Sequence, residues 1–302
     1  MKFGKLQDIT GVDFSLPADP AANTPRLAEF QLPPEELPNI YLGATGWSMP
    51  DWRGKWYPAK AKPADYLHHF GAQMTTIELN TTHYRTPDAA TVSRWYEAVP
   101  ADFRFCPKIP QRISHAGDLD LGGDALETFL AAIVGLKEKM GCCFIQLPPY
   151  FGPDKLPLLR RWLGSWPRSI PLAVEVRKPA WFDDAAVTEE LMDLLYESGA
   201  AAVITDVAGR RDVVHQYITA PRTMLRLVGN GLVDSDYTRA RAWIDRLLAW
   251  NLPENYIFPH QPDNVLSPDL IAWMTAELQL RNPALAPRGP QLDPGEPQMS
   301  LF

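Results

Sequence analysis

The chain has 302 residues, 46% of them hydrophobic, and its 36 acidic and 29 basic side chains leave a net charge of −7 at pH 7. That balance excludes a global electrostatic attraction to nucleic acid, so any such contact has to be weak, local or tethered. No apolar run approaches the roughly 18 residues of a membrane span. Lys2, Lys5, Asp8 and Asp13 also stand where a signal peptide would need an apolar core, so a cytoplasmic protein is expected.

Residues 1–38 carry Pro17, Pro20, Pro25, Pro33, Pro34 and Pro38 among alanines and acids. This composition predicts an irregular arm, pinned to the rest of the molecule by Phe3, Phe14, Leu16 and Phe30. From residue 39 to 280 the pattern changes. Eight short apolar segments follow one another: Tyr41–Trp47, Thr75–Asn80, Phe103–Ile109, Cys142–Pro148, Leu172–Arg177, Ala202–Asp206, Met224–Gly229 and Tyr256–His260. Helix-like stretches separate most of them. Thr86–Pro100 opens on Thr-Pro, a natural N-cap and first helical position, and Asp124–Gly141 ends in lysines and a glycine. This alternation predicts an α/β fold of one domain, a TIM-type (β/α)8 barrel. Beyond Leu280, Pro283, Pro287, Pro290, Pro294 and Pro297 predict an extended tail over residues 281–302. The three cysteines, two of them adjacent, do not form a disulfide framework and read as small buried hydrophobes.

Side chains on a strand alternate faces. Glu78 and Asn80 share a parity, as do Cys106 and Lys108, Phe144 and Gln146, Glu175 and Arg177, Ile204 and Asp206, Met224 and Arg226, and Phe258 and His260. The opposite parity is mostly apolar and suits the helix-covered face. Glu78, Asn80, Lys108, Gln146, Glu175, Arg177, Asp206, Arg226 and His260 are therefore expected at the inner C-terminal rim, where barrel enzymes assemble their chemistry. A purely structural ion-pair network capping the barrel is the competing explanation.

Lys108, Arg177 and Arg226, with Arg53, Lys55, Arg85 and Arg112 in the loops beyond, favour a small anionic ligand. Glu175 is the candidate general base, and Lys108 the group that stabilises an oxyanion or polarises a carbonyl. Tyr84 and Asn80 would add hydrogen bonds, while Gln146 and His115 would orient substrate. Trp47, Trp52 and Trp181 could form a stacking wall, with packing an equal alternative for Trp52 and Trp56. Gly229–Asn230–Gly231 follows the seventh segment, where barrels often hold phosphate, although a lone Gly-X-Gly is more often a turn. A divalent metal on Glu78, Glu175, Asp206, His115 and His260 is not favoured, because cations share the rim. No nucleotide-cofactor motif is present, and the cofactor stays unknown.

Five ordered motifs carry a resemblance: GATGWSMPDWRGKWYP (Gly43–Pro58), IELNTTHYRTP (Ile77–Pro87), FRFCPKIPQRISH (Phe103–His115), FIQLPPYF (Phe144–Phe151) and AVEVRKPAWF (Ala173–Phe182). In this order they resemble the YecE-like family known as domain of unknown function 72, over roughly residues 40–260. The resemblance implies a TIM barrel and supplies no reaction. The chain departs from the family pattern at His83, Lys178, Val228, Pro259 and His260, chiefly in the last two strands. Separately, Gln298–Met299–Ser300–Leu301–Phe302 looks like the peptide with which bacterial DNA-repair and replication proteins dock onto the sliding clamp. Leu301 and Phe302 would fill an apolar groove, Gln298 would supply hydrogen bonds, and Met299 replaces the usual leucine. Two functions stay open: an acid/base enzyme on an anionic, phosphate-bearing substrate such as a nucleotide, damaged base or nucleic-acid end, recruited to the clamp, or a non-catalytic module that senses an anion or bridges the clamp to another protein.

Overall fold

A computed structural model of the chain describes residues 4–285 and 288–293. Eight parallel strands form its sheet: β1 (Asn39–Ala44), β2 (Thr76–Leu79), β3 (Arg104–Pro107), β4 (Cys143–Gln146), β5 (Leu172–Glu175), β6 (Ala201–Asp206), β7 (Arg222–Val228) and β8 (Glu254–His260). Their order is β3-β2-β1-β8-β7-β6-β5-β4. The two ends meet through backbone bonds, Ile109 N–H to the Phe144 carbonyl at 2.8 Å and Gly141 N–H to the Phe105 carbonyl at 2.7 Å. The result is a nearly closed (β/α)8 barrel. Gly43 is required where β1 meets β2, because a Cβ there would lie 1.8 Å from the Thr76 carbonyl oxygen.

Among the described residues, the helices that cover the barrel or its arm are α1 (Asn23–Phe30), α2 (Tyr66–Gln73), α4 (Ala89–Ala98), α6 (Ala125–Ile133), α7 (Leu156–Ser165), α8 (Ala185–Ser198), α9 (Asp234–Trp250) and, behind β8, α10 (Ser267–Arg281). Two single-turn helices, α3 (Thr81–Tyr84) and α5 (Gln111–Ser114), follow β2 and β3 at the rim. The cap of α4 is Asp88 rather than Thr86, its carboxylate accepting the Thr91 N–H at 2.7 Å. The helix expected over Asp124–Gly141 stops at Ile133 and continues as a tighter turn, broken at Lys137 with φ 51° and ψ −129°. None of the described helices is long and apolar enough to cross a membrane.

The arm is more ordered than its prolines suggest. The Asn23 amide donates to the Gln216 carbonyl at 2.6 Å and its oxygen accepts the Ile218 N–H at 2.9 Å. Phe14 lies against two guanidiniums, Arg239 at 4.6 Å and Arg211 at 5.4 Å from its ring centre. The tail is fixed as far as it is described: Arg288 pairs with Asp102 at 2.6 Å, and the Asp293 N–H donates to the Lys55 carbonyl at 2.7 Å.

Two apolar layers result. Leu42, Ile77, Leu79, Ile145, Val174, Leu225 and Ile257 pack outward beneath the helices. Cys106, Cys142, Phe144, Ala173, Val203, Met224 and Phe258 fill the lumen. This is the expected alternation except on β6. There Ala201 and Val203 face inward, whereas Ala202 and Ile204 join the outer core, so Asp206 faces the helices. Both parities of Ala-Ala-Val-Ile-Thr are small or apolar, so the local sequence does not pin the face. The partners for Asp206 come from α9: Arg239 at 3.0 Å and the Trp243 indole N–H at 2.7 Å, with Arg211 completing the set.

Candidate functional site

The ends of β2, β3, β4, β5, β7 and β8 bring one continuous polar network together above the apolar lumen. Lys108 Nζ donates to Gln146 Oε1 at 2.9 Å, and Gln146 Nε2 donates to Glu175 Oε2 at 2.7 Å. The same Glu175 oxygen accepts from Arg226 at 2.8 Å, while its other oxygen accepts from Arg177 Nε at 2.8 Å. Arg226 also grips Glu78 with two parallel bonds of 2.9 and 3.0 Å. Asn80 donates to Glu78 Oε1 at 2.9 Å, and His260 Nε2 lies 3.0 Å from Glu78 Oε2, which Arg226 Nε also reaches. Because a carboxylate only accepts, that imidazole carries its proton on Nε2.

The surroundings set the charges. Burial alone would raise both carboxyls, but Arg226 and His260 hold Glu78 well below the usual carboxylate range. Arg177, Arg226 and the Gln146 amide bring Glu175 down to about 2. Burial lowers the His260 imidazole against the pull of Glu78, so the ring is neutral at pH 7. Burial also lowers the Lys108 amine to about 8, despite the nearby carboxylates. Lys108 is 7% exposed, and among the described residues its ammonium has one hydrogen bond, to a neutral amide. The carboxylates are spoken for by other donors. Among the described residues, Arg177 and Arg226 pair with these carboxylates, whereas Lys108 makes no ion pair with either.

Several expected site residues lie elsewhere. Asp206 is not in the network, since it faces α9 and is neutralised there. Trp181 is no stacking wall: it is fully buried in the outer core, its indole N–H donating to the Phe151 carbonyl at 2.9 Å. Trp47 is half-buried, edge-on to Trp95 at 5.9 Å, and Trp52 is a core residue bonded to the Val265 carbonyl at 2.9 Å. Tyr84, Arg85 and His115 sit on the α3 and α5 loops and line an adjoining pocket of about 550 Å³. Sequence reasoning missed two of that pocket's neighbours, His83 and Tyr150. The signal available was an imidazole beside Tyr84 in a turn otherwise built of small polar residues.

The Gly229–Asn230–Gly231 loop is occupied by the chain itself. The Asp236 carboxylate, fully buried, accepts the Asn230 N–H at 2.8 and 3.0 Å and the Leu232 N–H at 3.0 Å, and Gln261 Oε1 takes the Gly231 N–H at 2.9 Å. The amides that could cradle a phosphate after β7 already hold an internal anion.

A model for the family described as "Protein of unknown function DUF72" matches residues 41–294. The chain belongs to the DUF72 family. This DUF72 chain is 31% identical over 284 residues to the UPF0759 protein YecE of Escherichia coli K12, covering 87% of this chain and all of that protein. The YecE protein of E. coli O157:H7 matches to the same extent. Among solved structures, a DUF72 protein of Enterococcus faecalis V583 superposes with a TM-score of 0.60 at 19% identity, over 85% of this chain and 99% of that one. A DUF72 protein of Thermotoga maritima MSB8 gives 0.55 at 24% identity, over 73% and 92% of the two chains. These likenesses carry the fold.

Proposed function

We propose that this DUF72 barrel is an enzyme acting on a small anionic, phosphate-bearing substrate at the strand-end network. The observation that supports it is the buried Lys108 ammonium, whose one hydrogen-bond partner among the described residues is a neutral amide while Glu78 and Glu175 bond to other donors. An arriving phosphate or carboxylate would take the donors Lys108 has left and pair with its charge. An amine that titrates near pH 8 also suits proton transfer at neutral pH, so Lys108 is the acid/base and oxyanion-stabilising residue in this reading. Glu175, brought down to about 2, is a weak base. It serves by fixing Gln146, Arg177 and Arg226, with Glu78 and His260 buttressing the far side.

Calorimetric titration of the intact protein with inorganic phosphate tests this. Saturable binding weakened at least ~10-fold by Lys108→Met is expected, since one charge-assisted contact carries about that much. Equal binding by the two proteins would remove Lys108 from the site. The engagement of both carboxylates by arginines favours one second reading, a non-catalytic anion sensor. In that case binding persists, yet no phosphorylated compound is turned over.

We further propose that Gln298, Met299, Leu301 and Phe302, which lie outside the described residues, dock the protein onto a bacterial sliding clamp. What supports this is the pentapeptide itself, which begins five residues after Asp293, where the tail is bonded to Lys55. Saturable clamp binding that vanishes on deletion of 298–302 is the expected result; unchanged binding would sink the idea.

A further inference from the structure

The pocket beside the network adds a second half to the ligand. Three consecutive loops, after β2, β3 and β4, bring four rings together edge-to-face. His83 and Tyr84 are 5.2 Å apart at 78°, His83 and His115 are 5.6 Å apart at 62°, and His115 and Tyr150 are 6.5 Å apart at 83°. Tyr84, in the pocket wall, is 80% exposed, and Tyr150, edge-on to the lining residue His115, is 57% exposed, so two large aromatic surfaces stay uncovered at and beside a concave site. The pocket floor is neutral. Burial brings His83 down to about 4, and burial with Lys108 and Arg177 lowers His115 as well. His83 Nδ1 donates to the Ile109 carbonyl at 2.8 Å, which leaves Nε2 as an acceptor. Arg85, at the rim, has a planar cation that stacks on π systems. The pocket is tied to the network by the chain: Ile109 follows Lys108, and the Thr82 hydroxyl donates to the Lys108 carbonyl at 2.7 Å.

We infer that this pocket is a ring-binding subsite, and that the ligand is an anion joined to a planar heterocycle, of which a nucleoside monophosphate is the simplest form. The inference rests on the anion reading above and names its substrate class. Exposed phenol rings supply faces for stacking, the uncharged imidazoles supply hydrogen bonds to a heterocycle edge, and the cations lie next door for the phosphate.

The test compares inorganic phosphate, ribose 5-phosphate and the 5′-monophosphates of uridine and adenosine, titrated into the intact protein and into Tyr84→Ala and His115→Ala. At least one nucleotide should bind about 10-fold or more tightly than ribose 5-phosphate. That gain should fall in at least one variant while phosphate affinity stays unchanged. A nucleotide no tighter than ribose 5-phosphate, or a gain that survives both substitutions, overturns the subsite. If phosphate still binds in a Lys108-dependent way, the anion reading survives that failure; if none of the four probes binds, both fall.

Discussion

Replacing Arg226 with methionine should destabilise the protein by about 3–5 kcal/mol at pH 7, read as a lower urea midpoint with an unchanged slope. Arg226 is 1% exposed and is the hub of the network, bonded to Glu78 through two nitrogens and to Glu175 through a third. Methionine fills the stem's volume and leaves two buried carboxylates facing each other without their shared cation. The loss is therefore the cost of stranded charge, and it has a test built in. Adding Glu78→Gln and Glu175→Gln to the same chain removes that charge and should recover most of the loss. The pH dependence has a definite sign. Both carboxyls sit lower in the folded protein than the ordinary 4.5. In the native protein their contribution is full above that value and is lost on acidification, for Glu175 as the pH falls towards about 2. In Arg226→Met the penalty should instead shrink on acidification, as the stranded carboxylates protonate. A loss below about 1 kcal/mol at pH 7 would show that the hub carries little of the rim's stability.

Lys108→Met should do the opposite to stability and remove the proposed activity. Moving the amine from 10.5 in water to about 8 in the fold corresponds to about 3 kcal/mol spent on holding the charged form in place at pH 7. A methionine of similar length avoids that cost, so the variant should melt higher than the native protein at neutral pH. The unfolded native chain keeps the Lys108 proton up to about pH 10.5, whereas the folded one releases it near 8. The native protein therefore gains stability across that window, and the advantage of the variant should fade over the same range. The remaining titrating groups are common to both proteins and cancel in the difference. Melting curves at pH 7 and pH 11 decide it: a variant no more stable than the native protein at pH 7, or a difference independent of pH, would contradict a strained lysine. A residue kept at a stability cost, in a rim that could have been apolar, is what a ligand-binding cation looks like.

Much of this was legible along the chain because it is local. The eight segments, their helical spacers and the inner parity of Glu78, Lys108, Gln146, Glu175, Arg226 and His260 follow from the two-residue period of a strand with one apolar face. That period failed on β6, where apolar residues occupy both parities and the one charged residue, Asp206, found Arg239 and Trp243 some thirty residues onward. Trp181 lies in the core rather than at the rim, and Trp52 follows its packing alternative, for a related reason: an indole is as useful inside a core as against a ligand, and composition does not separate the two. Glu175 was legible as an inward carboxylate, but not as one whose two oxygens are filled by three donors.

The sequence by itself determined the barrel, its strand positions and the residue types at its rim, because period, caps and breakers act within a few residues. The tertiary structure alone decided which carboxylate answers which cation, that Asp236 closes the loop after β7, and that Lys108 is left with a neutral partner. Those outcomes depend on groups brought together from strands up to 182 residues apart, as His260 and Glu78 are. In a buried site a charge's role is set by the partners that fill its bonds, and no local pattern encodes them.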